Sequence, residues 1–573
     1  MHQPDIVTPR GLFQTNSRYL APVFQRYYTW TDVQLDEFFD DLDELSNAAK
    51  DSKQFLGAIV LQQKHQANPG APVLFLIIDG QQRLTTLFLV LLGLADLMKE
   101  AGDVQEVETV VESYLTINTS RFRGEPKVVP TAQDRERFYD VLRGATDYAG
   151  WNFNREPPAG AGGLKLERQW TRIRAALRDR LLTTNGRLRR TEWTKLGNLV
   201  LDRLEMVAIT LDANEDPNII FSRLNARGTP LGVADLVRNS VFSRFEHQNP
   251  HTSEQFYTER WLPFERTFAD SDALERYFQP FAVIRTEGAA TQATSFADLE
   301  GRWQGFSPEQ VLNDLREYAP YFAALTTYHP LPRLHARLNR VLRDFAEMPK
   351  LSVSWPFIMQ VLRAAHTSTL DWRSAEKSLR VVESMLVRRA LFGWEPTGLH
   401  AIFKDLWHQT LGDPKKVASR VQTSTIKTPT DVDLIKELQT SHVDRRKILP
   451  YVLKQLERER RDEEGTEEAF PTGRITIEHV APISYENHWQ AIFKTPETHR
   501  EVVGLIGNLT LLTGKHNEKI ANQSWDDKRS RFANSDWFIT RELDAKLRWD
   551  SRTIKLRTGR LARWIIKRWP PLT

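Results

Sequence analysis

The stretches ITIEH (475–479) and GNLTLL (507–512) decide the fold of the C-terminal part of the chain. The isoleucines of the first stretch alternate with polar residues, which predicts a half-buried strand, and the leucines of the second predict another strand. The segment from Asn517 to Asn522 predicts the opening of a helix. Together these elements predict a β-hairpin packed on a helix.

Polar residues follow this apolar frame in a fixed order: Glu478 and His479 end the first strand, Asn508 opens the second, and Asn517 lies where the helix begins. A His on a strand can deprotonate the water that attacks a phosphodiester. Carboxylate and amide oxygens are ligands that hard cations such as Mg²⁺ accept. The order therefore predicts a one-metal nuclease site. The alternative is an ordinary surface Glu-His pair and a turn at Asn508, but the ordered set within its apolar frame favours the nuclease.

Two segments carry a resemblance to a known family, IEHVAPIS (477–484) and IGNLTLLTGKHNEKIANQSWDDK (506–528). They resemble the His-Asn-His-like C-terminal domain of the GmrSD-type (type IV) restriction endonucleases, for which a ββα-metal (His-Me finger) fold is expected. The resemblance implies that His479 is the general base and Glu478 a metal ligand. It also implies that Asn508 braces the loop that carries His479.

The last position of this motif departs from the family pattern. Many His-Asn-His nucleases have a His where this chain has Asn517, and His516 directly precedes it. The resemblance implies that Asn517 is a catalytic residue and a ligand of Mg²⁺ or Mn²⁺. Whether His516 takes that place instead stays open at this point.

A second motif lies in DGQQRLTT (79–86), which follows the apolar run VLFLII (73–78) and precedes a leucine-rich segment. This order predicts a buried strand, a turn and a helix. Gly80 allows a close approach of the backbone to a ligand, the helix start offers free N–H groups to an anion, and Arg83 can bind a phosphate in bidentate fashion. Asp79 could bind a metal-linked water or a ribose hydroxyl. An ordinary turn with Asp79 as helix cap is the alternative, and the residues alone leave both open.

Three segments resemble the N-terminal domain of the same family: DGQQRLTT, PVFQRYYTW (22–30), and the stretch from Ile220 to Leu231 continued by DLVRN (235–239). The resemblance implies a fold of the ParB/sulfiredoxin type and binding or hydrolysis of GTP or ATP. The chain contains no P-loop. Nucleotide chemistry would therefore use the turn formed by Asp79, Gly80, Gln81, Gln82 and Arg83.

Two polar residues, Gln25 and Arg26, lie among aromatic residues of the segment 22–30. Aromatic faces can hold a flipped base while Gln and Arg read its edges. Packing against the sheet is the alternative for most of the aromatic residues. We therefore predict that Gln25 and Arg26, rather than the rings, sense DNA or its modification.

Composition limits the classes of protein that fit. The chain has 573 residues, no cysteine and a formal net charge of +4, with 40% hydrophobic and 27% charged residues. The lack of cysteine excludes disulfides and thiolate zinc sites. The apolar run Leu87–Ala95 is too short to span a bilayer, and no signal sequence is evident. We expect a cytoplasmic protein that has no membrane partner.

The length predicts more than one domain, and the predicted fold class is α+β. The predicted parts are a sensing domain at 1–247, a helical connecting region at 248–455, a charged linker at 456–473 and the nuclease domain at 474–573.

These observations predict a metal-dependent DNA endonuclease of anti-phage defence whose N-terminal domain senses modified DNA, with a possible homodimer. The resemblance implies that the sensed modification is hydroxymethylated or glucosylated cytosine or a phosphorothioate backbone, without a choice among them. Two alternatives stay open: a nucleotide-regulated, toxin-like RNase, and a DNA-binding module without enzymatic activity.

Overall fold

The computed structural model divides into two compact units, and the α+β class is confirmed. Unit 1 comprises 1–266 and 303–313, and unit 2 comprises 267–302 and 314–573. The residues that the structure describes are 4–22, 25, 27–64, 70–154, 163–211, 232–245, 253, 255–349, 352–422, 426–465, 470, 474–486, 488–513 and 522–572.

Unit 1 is built on a mixed sheet. Its described strands are β1 (Asp5–Val7), β2 (Ser17–Leu20), β3 (Gln54–Gln63), β4 (Val73–Asp79), β5 (Val128–Val129) and β6 (Leu204–Leu211). Their order across the sheet is β1-β6-β3-β4-β2-β5. Strands β3 and β6 run parallel, as do β4 and β2, whereas β3 and β4 are antiparallel. A ParB/sulfiredoxin type remains a prediction for this sheet.

The helix Gln81–Glu100 forms the centre of the unit 1 core, as its leucine-rich sequence predicted. Most of its residues are buried, because an apolar surface on all sides must be covered by neighbouring elements. The other helices of unit 1 are Pro9–Phe13, Asp32–Asn47, Val104–Val110, Arg135–Thr146, Leu164–Leu181, Arg190–Asp202, Val233–Ser243 and Leu262–Glu265. Irregular turns are the π-helical Val111–Leu115 and Tyr257–Trp261 and the 3₁₀ turn Ser120–Phe122.

Unit 2 is mainly helical, as predicted for the middle of the chain. Its helices are Ser271–Arg285, Ser295–Arg302, Ala319–Thr327, Ala336–Ala346, Trp355–His366, Trp372–Phe392, His400–Phe403, Leu406–Thr410, Pro414–Arg420, Asp431–Thr440, Leu449–Glu463, His488–Phe493, Pro496–Arg500, Trp525–Phe532, Phe538–Arg541 and Ser551–Arg568. The helix Pro308–Arg316 crosses the division between the units. The 3₁₀ turns are Ser352–Ser354, Ile506–Asn508 and Glu542–Ala545.

The two C-terminal strands form where the sequence predicted them. Strand β7 (Ile475–His479) pairs antiparallel with β8 (Leu509–Thr513), and His479 lies opposite Leu509. The predicted helix opening after Asn517 falls mostly outside the described residues, and the next described helix begins at Trp525. The ββα-metal fold itself remains a prediction.

The segment 456–473, predicted from its charges and turn residues to be the end of a helix followed by a linker, begins within a helix. Residues 456–463 belong to the helix Leu449–Glu463. Glu457 is fully buried, pairs with Arg461 at 2.7 Å and accepts hydrogen bonds from the backbone N–H groups of Phe538 and Ile539. Part of this charged run therefore stabilises the interior of unit 2, and the linker that follows the helix stays a prediction. The predicted boundaries after residues 247 and 473 lie at positions outside the described residues.

Candidate active site

His479 ends strand β7, and its side chain contacts a carboxylate from a distant part of the chain. Its Nε2 atom lies 3.2 Å from Oδ2 of Asp444, and the two side chains are 18% and 16% exposed. Because a carboxylate only accepts hydrogen bonds, the shared hydrogen belongs to Nε2, and Nδ1 keeps its lone pair. Asp444 lies between the helices Asp431–Thr440 and Leu449–Glu463. Nothing in its local sequence distinguished it, so the sequence analysis missed it.

The surroundings of His479 favour its neutral form. Burial lowers the pKa of the imidazole below its ordinary value; Asp444 opposes this in part, and Lys528 and His442 lower the pKa further. A general base must be unprotonated before it can accept a proton. A neutral imidazole with a free Nδ1 atom meets that requirement.

Asn508 holds the chain that follows His479. The fully buried amide makes four hydrogen bonds: Nδ2 donates to the carbonyls of Ala481 and Val503, and Oδ1 accepts from the N–H of Ala481 and from Nε1 of Trp549, at 2.8–2.9 Å. These bonds use the whole capacity of the side chain. Asn508 thus fixes the backbone at Ala481, two residues after His479, and its part in catalysis stays a prediction.

Glu478 pairs with Lys528 and not with the His479 imidazole. Its Oε1 atom accepts a hydrogen bond at 2.6 Å from Nζ of Lys528, which also donates to the His479 carbonyl at 3.0 Å. Burial raises the pKa of Glu478 and lowers that of Lys528, and the attraction between them opposes both changes. Neighbouring strand residues point to opposite faces, which explains why Glu478 and His479 have different partners.

The described residues contain only part of the predicted metal site. Within them, no three His, Asp or Glu side chains come together in a way that could hold a metal ion. Asn517 and His516 lie at 514–521, outside the described residues. Glu478 is the predicted ligand that can be examined. Its Oε2 atom accepts no hydrogen bond from any described group, so one carboxylate oxygen fits a bond to a cation.

The Asp79–Arg83 turn joins β4 to the central helix of unit 1, as predicted. Gly80, not Asp79, is the cap of that helix, with φ of 90°. A Cβ atom at this position would lie 2.6 Å from Cγ2 of Ile59, so glycine is required both by the backbone conformation and by close packing on β3. Arg83 donates one hydrogen bond, at 3.0 Å, to the carbonyl of Ala58 and is only partly buried.

Gln82 forms hydrogen bonds to the backbone of the aromatic segment 22–30. Its Oε1 atom accepts from the N–H of Thr29 at 2.8 Å, and its Nε2 atom donates to the carbonyl of Tyr27 at 3.2 Å. Between them, the N–H of Tyr28 donates to Asp134 at 2.7 Å. Gln82 therefore stabilises the protein's own backbone, whereas Gln81 is more exposed.

Gln25 is a structural residue in this arrangement. It is only 6% exposed, and its Nε2 atom donates to the carbonyls of Ile77 and Ile78 at 2.6 and 2.7 Å. The structure does not present this amide to a DNA base at the surface. Arg26 lies outside the described residues, and so does the family-like stretch 220–231.

Asp134 was also missed by the sequence analysis. Its Oδ2 atom accepts hydrogen bonds from the N–H of Tyr28 and the hydroxyl of Thr131, whereas its buried Oδ1 atom has no partner in the part of the chain that the structure describes. Burial raises the pKa of Asp134 to about 6. The carboxyl group therefore anchors the aromatic segment at an energetic cost when ionised.

Two matches to family models contain these sites. One contains the turn that leads into the buried helix, and the other contains the strand pair whose histidine contacts Asp444. The family model of the GmrSD restriction endonuclease N-terminal domain matches residues 10–242, and that of the C-terminal domain matches residues 428–564. These matches define the class as restriction-type endonucleases, whose substrate is DNA. The chain belongs to the GmrSD restriction endonuclease family. A search of curated proteins returned no match. In the described part of the chain, no helix is long and apolar enough to span a bilayer.

Proposed function

We propose that this protein is a metal-dependent DNA endonuclease in which His479 is the general base. The observation that carries the proposal is the contact between Nε2 of His479 and Asp444. It fixes the ring and leaves Nδ1 as the proton acceptor. The lowered pKa of His479 supports this role, because the base is then neutral near neutral pH.

In this proposal each described residue has one task. Nδ1 of His479 takes a proton from the water that attacks the phosphodiester, and Asp444 keeps the ring in place. Asn508 holds the backbone after His479, so that the base does not shift relative to the DNA. A displacement of about 1 Å can cost about a hundredfold in rate, which is why such bracing matters.

Glu478, together with Asn517 or His516, would hold Mg²⁺ or Mn²⁺. When bound, the cation supplies electrostatic stabilisation to the negative charge that develops on the phosphate. The free Oε2 atom of Glu478 supports a place in the ligand set. Lys528 keeps the Glu478 carboxylate fixed while the other oxygen remains available.

We propose that the N-terminal part permits cleavage only after it has bound a nucleoside triphosphate and modified DNA. Support comes from the Asp79–Arg83 turn, because the helix Gln81–Glu100 starts there and the positive end of its dipole favours an anion. Arg83 makes a single hydrogen bond and can turn further donors to a phosphate. Gln25 and Gln82 are engaged by backbone groups, and a contact of Arg26 with DNA stays a prediction, because this residue lies outside the described part of the chain.

The purified protein, incubated with modified DNA, unmodified DNA and RNA, with Mg²⁺ or EDTA and with or without GTP or ATP, tests the function. We expect cleavage of DNA, loss of cleavage in EDTA, and a dependence on modification or nucleotide. Preferential cleavage of RNA would favour the toxin-like RNase. DNA binding without cleavage under every condition would favour the non-enzymatic module.

A further inference from the structure

A pocket of about 290 Å³ lies in unit 2 between the end of the helix Trp372–Phe392 and the segment 445–448. We call it the Trp394 pocket. It is lined by one exposed tryptophan, Trp394, by the cations Arg389, Arg445, Arg446 and Lys447, and by one carboxylate, Glu395. Its volume is at the lower limit of ordinary ligand sites, about 300–1,000 Å³, which suits one small planar group with its attachment.

The chain is shaped to present the tryptophan. Gly393 ends the helix in the left-handed conformation, with φ of 85°, so that the next residue turns away from the helix axis. Trp394 remains 38% exposed although the ring of Phe392 lies 4.7 Å from it and the guanidinium of Arg389 lies 5.2 Å from its centroid. An indole that is supported by protein groups and still exposed offers a face on which a nucleobase can stack.

Positive side chains outnumber negative ones in the described lining of the pocket, with four cations and one carboxylate. Arg389 is only 8% exposed; its two Nη atoms donate to backbone carbonyls, and its buried Nε atom has no hydrogen-bond partner among the described residues. Burial lowers the pKa of Arg389, a sign of the cost of keeping it charged there. Arg446 is paired with Glu437 but has a buried, unpartnered Nη1 atom. Arg445 and Lys447 are exposed at the rim.

The same short segment connects this pocket to the candidate active site. Arg445 directly follows Asp444, whose carboxylate contacts His479. The N–H of Val443 donates at 2.9 Å to the carbonyl of Gly504, just before the turn that carries Asn508. A ligand in the pocket is therefore only a residue or two, along the chain, from the group that orients the general base.

We propose that the Trp394 pocket binds one unstacked nucleotide of the DNA strand that is cleaved. The base stacks on Trp394, and the neighbouring phosphates are held by Arg445 and Lys447. Stacking on an aromatic ring is tolerant of sequence, and cations along the strand add a salt-dependent attraction. This assignment rests on the proposed nuclease function, because Arg445 directly follows Asp444, whose carboxylate contacts the proposed general base His479.

The test uses the full chain carrying His479→Ala, so that DNA stays intact, and a fluorescein-labelled DNA as a single strand and as a duplex. Binding is measured by anisotropy at several salt concentrations. Trp394→Leu should raise Kd roughly ten- to hundredfold. Arg445→Gln and Lys447→Gln should each weaken binding and reduce the slope of log Kd against log salt by about one.

Matched controls come from the other end of the same helix. The guanidinium of Arg373 lies 4.5 Å from the ring of Trp372, and neither residue lines the pocket. Trp372→Leu and Arg373→Gln should bind DNA like the parent. If Trp394→Leu proves unstable in thermal unfolding, the two rim variants decide the matter, because exposed side chains are rarely needed for folding.

Equal binding by pocket and control variants would overturn the proposal. It would also be overturned if the pocket variants lost binding of a free deoxynucleoside monophosphate, measured by equilibrium dialysis, while DNA binding was unchanged. Cleavage by the protein with an intact His479 is measured separately. If the intact protein cleaves DNA and the pocket variants bind DNA normally, this proposal fails and the nuclease function stands. If the intact protein cleaves no DNA and the pocket variants lose binding, the nuclease function fails, and the pocket is a DNA-binding site without a cleaved strand.

Discussion

Nε2 of His479 lies 3.2 Å from Oδ2 of Asp444, although the two residues are 35 positions apart in the chain. The carboxylate comes from the segment before the helix Leu449–Glu463, whereas the histidine ends strand β7. This contact leaves Nδ1 of His479 as the nitrogen that can accept a proton, and the predictions for Asp444 and His479 depend on it.

Asp444→Asn should lower kcat by about a hundredfold and leave KM nearly unchanged, because the amide no longer fixes the tautomer and orientation of His479. Steady-state cleavage kinetics measure both constants, and Asp444→Glu should restore part of kcat. The exposed Asp462→Asn is the matched control. If the loss of kcat is accompanied by a large fall in melting temperature, so that the lost activity follows the loss of folded protein, the role of Asp444 is purely structural.

His479→Ala should reduce cleavage by about two to four orders of magnitude, the usual contribution of a general base. DNA binding and folding should remain, because the side chain makes a single hydrogen bond within the described residues. His408→Ala, at an exposed position of unit 2, serves as control. A fully active His479→Ala protein would show that another group is the base.

Asn508→Asp should destabilise unit 2 by about 2–5 kcal/mol. The isosteric change leaves the carbonyls of Ala481 and Val503 without a donor and buries a carboxylate, and each buried unsatisfied group costs about 1–3 kcal/mol. Chemical denaturation measures the loss. The same change at the exposed Asn534 should stay within about 0.5 kcal/mol. Similar losses at both positions would contradict the assigned brace.

Lys528→Met should destabilise the protein by about 3–5 kcal/mol, because Glu478 is left as a buried charge without its partner. The double variant Glu478→Gln/Lys528→Met should recover much of that loss. If Glu478 also binds the cation, Mg²⁺ should raise the melting temperature of Lys528→Met and not that of the double variant, since a ligand stabilises only a state that it binds. An equal response to Mg²⁺ in both variants would exclude Glu478 as a ligand.

Asp134 should make unit 1 less stable as the pH rises. Its pKa is about 6 in the folded protein and close to 3.8 in the unfolded chain. The folded state therefore binds the proton more tightly, and stability is lost as the pH rises through this window, by up to about 3 kcal/mol. Denaturation of the wild type and of Asp134→Asn between about pH 4 and pH 7 measures the difference. A stability difference that does not change with pH would disprove the assignment.

The sequence by itself determined the local elements. Isoleucines that alternate with polar residues predicted β7, and the leucines of the second stretch predicted β8. An apolar run followed by a glycine turn predicted β4 and the helix Gln81–Glu100. These patterns act over a few residues, so that side-chain periodicity is sufficient to read them. The order of motifs also indicated the GmrSD family, which the family matches confirm.

Only the tertiary structure decided which polar groups meet. It paired His479 with Asp444 and Glu478 with Lys528, and it engaged the amide of Gln25 with strand carbonyls. It also buried Glu457, in a charged run whose composition suggested a linker. Such pairings join residues that are distant in the chain, and a buried charge or amide is stable only where folding brings it a partner. The local sequence shows the periodicity of a helix or strand, but which residue becomes the partner of a buried polar group depends on how the elements pack.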